Sequence, residues 1–103
     1  MFFMLTVTYP PDKAVEFTKG LIESLKTPLP PFIKRWHMLT TVAGEPGLKG
    51  YGIYEVEVGR EHEAFQEIVK RMISLHSIEG LRYQIEPAMT AEEAIPLLGL
   101  EMP

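Results

Sequence analysis

The fold of this chain depends on a stretch that reads Phe-Ile-Lys-Arg-Trp-His-Met-Leu-Thr-Thr-Val at residues 32–42 and Tyr-Gly-Ile-Tyr-Glu-Val-Glu-Val at residues 51–58. Both segments mix aromatic, β-branched and polar residues without a helical period, and the second alternates from Ile53 onward, which is typical of strands. The residues between them, 43–50, include three glycines and one proline, which favour turns. The pattern predicts a long β-hairpin.

The register of this hairpin determines which side chains share a face, because opposed residues of an antiparallel pair lie on the same side. Opposing even to even numbers groups an apolar set for burial, namely Trp36, Met38, Val42, Tyr54, Val56 and Val58. The other face then carries a basic arm opposite an acidic arm, which is favourable. Its members are Arg35, His37, Leu39, Thr41, Ile53, Glu55 and Glu57. We therefore predict the even-to-even register.

The remaining segments supply two strands and two helices. Residues 1–9 alternate with Phe3, Leu5 and Val7 on one face, and residues 81–86 form a last strand that stops at Pro87. Apolar residues at helical spacing predict the two buried helix stripes: Ala14, Phe17, Leu21, Ile22 and Leu25, then Phe65, Ile68, Val69, Met72, Ile73 and Leu75. Right-handed crossovers place both helices on one face of a four-stranded antiparallel sheet, which is the ferredoxin-like βαββαβ arrangement of the α+β class.

A short helix follows this domain of residues 1–89. Thr90 and Glu93 have the spacing of a capping box, and Pro96 ends or kinks the helix near Ile95. Leucines then follow, which a free disordered terminus is not expected to carry. We predict that residues 90–103, the C-terminal tail, pack on the domain or on a partner.

Composition bounds the function. The chain has 103 residues, enough for a single domain. It lacks cysteine, which excludes disulfides and thiolate chemistry and fits a reducing compartment, so we predict the cytoplasm. A net charge of −4 argues against nucleic acid and anionic membranes as partners. His62 and His76 are about 21 Å apart on one helix, and no phosphate loop or zinc spacing is present, so we predict neither a metal nor a cofactor.

The chain also resembles the dimeric α+β barrel superfamily, which includes muconolactone isomerases and small antibiotic-biosynthesis-type monooxygenases. The residues that carry this resemblance, across residues 1–89, are Met1-Phe2-Phe3-Met4, Arg35-Trp36-His37, Tyr54-Glu55-Val56 and Ile85-Glu86-Pro87. The Arg-Trp-His and Ile-Glu-Pro steps are also similar to a small group of uncharacterised proteins with this fold. The resemblance implies a homodimer in which two sheets pack face to face around a cleft, but it implies no reaction, because the fold hosts several.

The predicted polar face contains one acid–base candidate. The candidate is His37, because an imidazole suits acid–base chemistry and Glu57 or Glu55 could orient it. The alternative is a cross-strand ion pair that only sets the register.

The same face contains candidate ligand-binding residues, Arg35, Glu55 and Arg82. The two arginines are suited to bind a carboxylate through paired hydrogen bonds, although ion pairs to Glu86 or Glu57 are an alternative. Trp36 and Tyr54 are expected to pack in the core, with a pocket-lining role as their alternative.

Three classes of function stay open. The protein is an enzyme without a cofactor that acts on a small acidic or aromatic molecule, a module that binds such a molecule, or a structural dimer. In the first two classes the ligand occupies a cleft on the sheet face away from the helices.

Overall fold

The computed structural model describes residues 1–41, 47–101 and 103. Its elements are β1 (Phe2–Tyr9), a 3-10 turn (Pro11–Lys13), α1 (Ala14–Leu25), β2 (Ile33–Thr40), β3 (Leu48–Val56), α2 (Glu61–Ile73), β4 (Arg82–Ala88), α3 (Ala91–Ala94) and a second 3-10 turn (Ile95–Leu98). The predicted βαββαβ order is confirmed. Val42 and residues 43–46 of the predicted turn lie outside the described residues, whereas residues 48–50, which we assigned to that turn, belong to β3.

The four strands form one antiparallel sheet in the order β2-β3-β1-β4. Trp36 lies opposite Tyr54 and Met38 opposite Gly52, so the even-to-even register of the hairpin is confirmed. Phe17 of α1 and Ile68 of α2 pack in one core with the odd-numbered residues of β1. Both helices therefore cover the same face, and we call the other surface of the sheet the open face.

The predicted buried stripes of the helices are confirmed in part, since Ile68, Met72 and Leu75 are buried. In α2, Ala64, Ile68 and Met72 are buried, whereas Phe65 is 40% and Ile73 is 55% exposed. The buried positions repeat every four residues, and they include the small Ala64, which the predicted stripe did not contain. In α1, Phe17 is buried and Ala14 and Leu21 pack against the core as predicted, whereas Ile22 and Leu25 are exposed.

Close packing brings the two helices together at Gly20. A side chain at this position would collide with the side chain of Leu75, so the absence of a Cβ lets α1 approach α2. Of the two explanations that the sequence allows for this glycine, close packing and an early helix break, the structure confirms packing.

Two strand ends differ from the prediction. Val58 is 84% exposed, because β3 ends at Val56 and the chain turns at Gly59, whose φ is 89°. Pro87 lies inside β4, opposite Phe3, rather than ending it. Since β4 is an edge strand, a residue without an N–H is tolerated there.

The C-terminal tail begins as predicted. The Thr90 side chain accepts a hydrogen bond from the Glu93 backbone N–H, and the Glu93 carboxylate accepts one from the Thr90 backbone N–H, which completes the capping box. Leu97, Leu98 and Leu100 are 73%, 76% and 62% exposed in the single chain. No helix among the described residues combines the length and the apolar character that a membrane span requires.

Candidate functional site

The open face brings two of the predicted ligand-binding residues together. Arg35 lies directly opposite Glu55 across β2 and β3, with 3.6 Å between Arg35 Nε and Glu55 Oε2. The Arg35 side chain is 81% exposed and that of Glu55 34%. A pair this accessible to water contributes little to stability, so both groups remain accessible to a ligand or to a second chain.

His37 and Glu57 do not meet. His37 lies opposite Ile53, with Glu55 as a diagonal neighbour, while Glu57 follows the end of β3 and donates its backbone N–H to the Phe32 carbonyl. Four residues of strand separate Glu57 from Ile53, about 13 Å. The predicted adjacency is wrong because β3 begins at Leu48, earlier than the sequence indicated, so that Glu57 falls beside the start of β2.

Arg82 is also far from the other predicted residues. It lies opposite Thr8 on β4, and two strands separate β4 from β2 in the sheet. Three inter-strand spacings amount to about 14 Å, and the offset along the strands adds more. Within one chain, therefore, Arg82 and Arg35 cannot hold the same small ligand.

A cavity lies on the other side of the sheet. Its volume is about 220 Å³, and it is lined by residues of α1, α2, β1, β2 and β3. Its lining includes the side chains of Leu25, Trp36, Met38, Tyr54, Ile68 and Arg71. The sequence led us to expect a cleft on the face away from the helices; this cavity lies on the face that the helices cover.

Two glycines of β3 account for the cavity. Gly50 and Gly52 are two residues apart, so both face the helices, opposite Val7 and Leu5 of β1. Gly50 has no side chain to fill the space under α1, in contrast to the close packing of most protein interiors, and a Cβ there would meet no atom closer than 3.9 Å. The glycines form the floor of the cavity.

Tyr54 lies across one of these glycines. A Cβ at Gly52 would be 2.8 Å from Tyr54 Cε2 and 3.0 Å from its Oη, so the phenol ring lies directly over the backbone of residue 52. The Tyr54 side chain is thereby directed along β3, and it lines the cavity.

The Tyr54 hydroxyl makes no hydrogen bond to any residue that the structure describes. Tyr54 is only 7% exposed, and burial raises the pKa of its phenol, an effect that the charge of Arg71 partly opposes. Among the described residues no fully buried polar side-chain atom lacks a partner, so the hydroxyl, which has no partner among them, is not completely buried. Tyr54 itself lines the cavity. The protonated phenol can donate a hydrogen bond to a ligand.

Arg71 is already engaged. Its Nη1 donates to the Ser24 and Thr27 carbonyls, each at 2.9 Å, and its Nη2 donates to the Pro28 carbonyl at 3.0 Å. Its Nε donates to Glu67 Oε1 at 3.0 Å. Four of the five guanidinium N–H groups are used and the charge is balanced, so Arg71 joins α2 to the end of α1 rather than offering a free cation.

The cavity opens at the edge of the sheet. Trp36 belongs to β2, the edge strand, and is 40% exposed although it faces the helix side. Leu25, near the end of α1, is 41% exposed. We call these two residues the mouth of the cavity.

Sequence reasoning identified part of this site. Trp36 and Tyr54 were expected to be packing residues with lining a pocket as the alternative, and both line the cavity. Gly50, Gly52 and Arg71 were missed. Two glycines spaced two apart before a strand-like run are the pattern that could have revealed the floor, because such residues share one face of a strand.

Comparisons with known proteins support the fold. No family model matches the sequence, and the search of curated proteins found no match. Among solved structures, the chain is similar to a dimeric ferredoxin-like protein from an uncultured marine organism, with a TM-score of 0.65 and 9% identity over 87% of this chain and 94% of that one. It is also similar to a dimeric ferredoxin-like protein of unknown function from Thermobifida fusca YX, with a TM-score of 0.51 and 8% identity over 85% of this chain and 92% of that one. The protein therefore has the ferredoxin-like α+β fold.

Proposed function

We propose that this protein binds a small, neutral, largely apolar molecule in the cavity between the sheet and the helices. The observation that carries the proposal is the cavity itself, with its glycine floor and volume of about 220 Å³. An engineered apolar cavity of about 150 Å³ binds benzene. The larger space here suits a molecule of one or two aromatic rings.

The lining favours a neutral ligand over the acidic one that the sequence also allowed. Among the described residues that line the cavity there is no Asp, Glu, His or Lys, and Arg71 is already balanced by Glu67 and three carbonyls. A carboxylate would therefore lose its hydration without gaining an unpaired cation. A single oxygen or nitrogen on an aromatic ring can instead accept a hydrogen bond from Tyr54.

The same lining supports binding rather than acid–base catalysis. The raised pKa of Tyr54 keeps its phenol protonated near neutral pH, so it is a donor and not a base. His37 and Glu55 lie on the opposite side of the sheet. A catalytic role for His37 or Glu57 stays a prediction, as does the cytoplasmic location.

Naphthol, naphthoate and naphthalene are suitable probes of the cavity. We expect calorimetric titration to detect binding of naphthol to the wild-type protein, with naphthoate about tenfold or more weaker because a buried charge is left unpaired. Tyr54→Phe should weaken naphthol about tenfold, within the range for one hydrogen bond, and leave naphthalene unchanged.

A substitution at the glycine floor of the cavity gives the most direct test of the proposed binding site. Gly50→Leu places a side chain in the cavity and should abolish naphthol binding. Lys49→Leu is the matched control, because it adds the same side chain to the same strand on the open face. Equal naphthol affinity in the wild type and in a folded Gly50→Leu protein would contradict the proposal.

We also propose that the protein is a homodimer formed through the open face. This face exposes Leu39 to 59% and Met4 to 37% among charged residues, and both sheet edges are uncovered in the single chain, a combination that favours association. The two similar structures are described as dimeric ferredoxin-like proteins. Light scattering should give twice the chain mass of 11.7 kDa.

A charge on the open face should weaken this dimer. Leu39→Glu buries an unpaired carboxylate in the proposed interface, which is costly. Val15→Glu is the control, because Val15 is 68% exposed on α1, on the other side of the molecule. A wild-type mass of one chain at micromolar concentration would reject the dimer.

A further inference from the structure

The C-terminal tail carries an apolar surface that its own chain does not cover. The tail is ordered by its capping box and by the bond from the Gly99 N–H to the Pro96 carbonyl, at 3.0 Å. Yet Leu97, Leu98 and Leu100 are all more than half exposed. Three neighbouring exposed leucines are the pattern of a surface that docks elsewhere.

A complementary surface lies along β2. The mouth of the cavity, Trp36 and Leu25, is apolar and half-exposed. Lys34 and Arg35 on the same strand are exposed cations, and Arg35 lies on the open face, 3.6 Å from Glu55. The tail is the reverse in charge, because residues 90–103 contain three glutamates and neither lysine nor arginine. Opposite charges around two apolar patches favour pairing in one orientation.

A chain cannot easily place its own tail there. The tail follows β4, and β4 and β2 are the two opposite edges of the sheet. Two open faces related by a two-fold axis parallel to the strands would bring β4 of one copy over β2 of its partner.

The pairing of the strands tests this orientation. Glu86, Met4, Ile53 and His37 are paired across the four strands and so have the same position along the strand direction. A rotation about an axis parallel to the strands keeps that position, so Met4 overlies the partner's Ile53 and Glu86 overlies the partner's His37. The first pair is apolar and the second is oppositely charged when the histidine is protonated. Ala88, where the chain enters the tail, then lies at the level of the partner's Arg35.

We propose that the two copies exchange their C-terminal tails, and that the leucines of each tail dock across β2 of the partner and close the mouth of the partner's cavity. The functional consequence of this exchange rests on the proposed ligand binding, because the bound molecule then leaves only when the partner's tail moves away. Each binding site is then incomplete without the second copy.

Disulfide cross-linking tests the exchange directly. Because the chain contains no cysteine, an introduced pair reports a single contact. We expect a mixture of Leu98→Cys and Lys34→Cys proteins to give a covalent dimer under mild oxidation. Leu98→Cys mixed with Lys70→Cys is the control, since Lys70 is exposed on α2, and it should give at most background cross-linking.

A doubly substituted chain separates exchange from folding back. When the Leu98→Cys/Lys34→Cys protein is diluted into an excess of cysteine-free protein, exchange predicts loss of the disulfide. A disulfide that persists within single chains would show that the tail covers its own cavity, and would overturn the inference. Equal cross-linking of Lys34→Cys and Lys70→Cys would overturn it too.

Ligand kinetics test the closure. Replacing Leu97, Leu98 and Leu100 by serine should raise the naphthol dissociation rate about tenfold, while Gly50→Leu should leave the Leu98–Lys34 cross-link intact. An unchanged dissociation rate in the serine variant would refute closure and leave the proposed binding function standing. Naphthol that fails to bind the wild type, with the cross-link formed, would instead refute the binding function and leave the exchange standing.

Discussion

Replacing Gly52 by alanine tests how Tyr54 shapes the cavity. The new Cβ would be 2.8 Å from Tyr54 Cε2 and 3.2 Å from its Cζ. Ordinary carbon contacts are about 3.5–4.0 Å, so the ring must move by about 1 Å into the cavity. Overpacking of this kind costs about 1–3 kcal/mol.

Gly50→Ala is the matched variant. Its Cβ would meet no atom closer than the Leu39 carbonyl oxygen at 3.9 Å, so it carries no clash. Both substitutions remove the same flexible residue from β3, which stabilises the strand by about 0.5–1 kcal/mol. Because this gain cancels, Gly52→Ala should be less stable than Gly50→Ala by the clash alone, about 1–3 kcal/mol.

Urea denaturation at one protein concentration measures this difference, with the fluorescence of Trp36, the single tryptophan, as the signal. A difference of about 2 kcal/mol should lower the midpoint by about 1 M urea. In a Tyr54→Leu background the ring is absent, and Gly52→Ala should become as harmless as Gly50→Ala. Equal stabilities of the two alanine variants, or a cost that persists without the ring, would refute the reasoning.

Three further predictions concern the core and the site. Ile68 is 2% exposed, so Ile68→Ala should lower the free energy of unfolding by about 2–5 kcal/mol and Ile68→Val by about 0.5–1.5 kcal/mol. Val58→Ala, at an exposed position, should change it by no more than about 0.5 kcal/mol. Urea denaturation measures all three variants. Arg71→Lys loses most of the hydrogen bonds to the carbonyls after α1 and should lower the free energy of unfolding by about 1–3 kcal/mol. Lys70→Ala is the control and should have almost no effect. Faster proteolysis of residues 26–31 in Arg71→Lys is a second measurement. Burial raises the pKa of Tyr54 above its ordinary 10.0, so the contribution of Tyr54 to stability is complete below that value and is lost as the pH rises through the folded pKa. Phenolate absorbance should show one of the four tyrosines ionising at higher pH than the others. Tyr54→Phe should remove that late phase.

Local chemistry made much of the fold predictable. The alternation of β1 determines which residues face the core, because side chains of a strand point to opposite sides in turn. The parity of the hairpin followed from the same rule, and Trp36 opposite Tyr54 confirms it. The capping box at Thr90 and Glu93 depends on four consecutive residues, so it was also predictable.

The predicted proximity of the site residues was wrong because it depended on distances rather than on parity. Any even-to-even register puts His37 and Glu57 on the same face, but only the true start of β3 shows that they are about 13 Å apart along the sheet. Arg82 shares that face too, yet the order of the strands places it at the opposite edge from Arg35. Neither the start of a strand nor the strand order is set by local sequence.

By itself, then, the sequence determined the element order, the faces of the strands and the apolar character of the tail, because each depends on neighbours along the chain. Only the tertiary structure decided where empty space remains. The cavity exists because Gly50 and Gly52 lie beneath α1 while Tyr54 lies across one of them. Empty space depends on how side chains from several segments pack against one another, so it cannot be read from any single segment of the sequence.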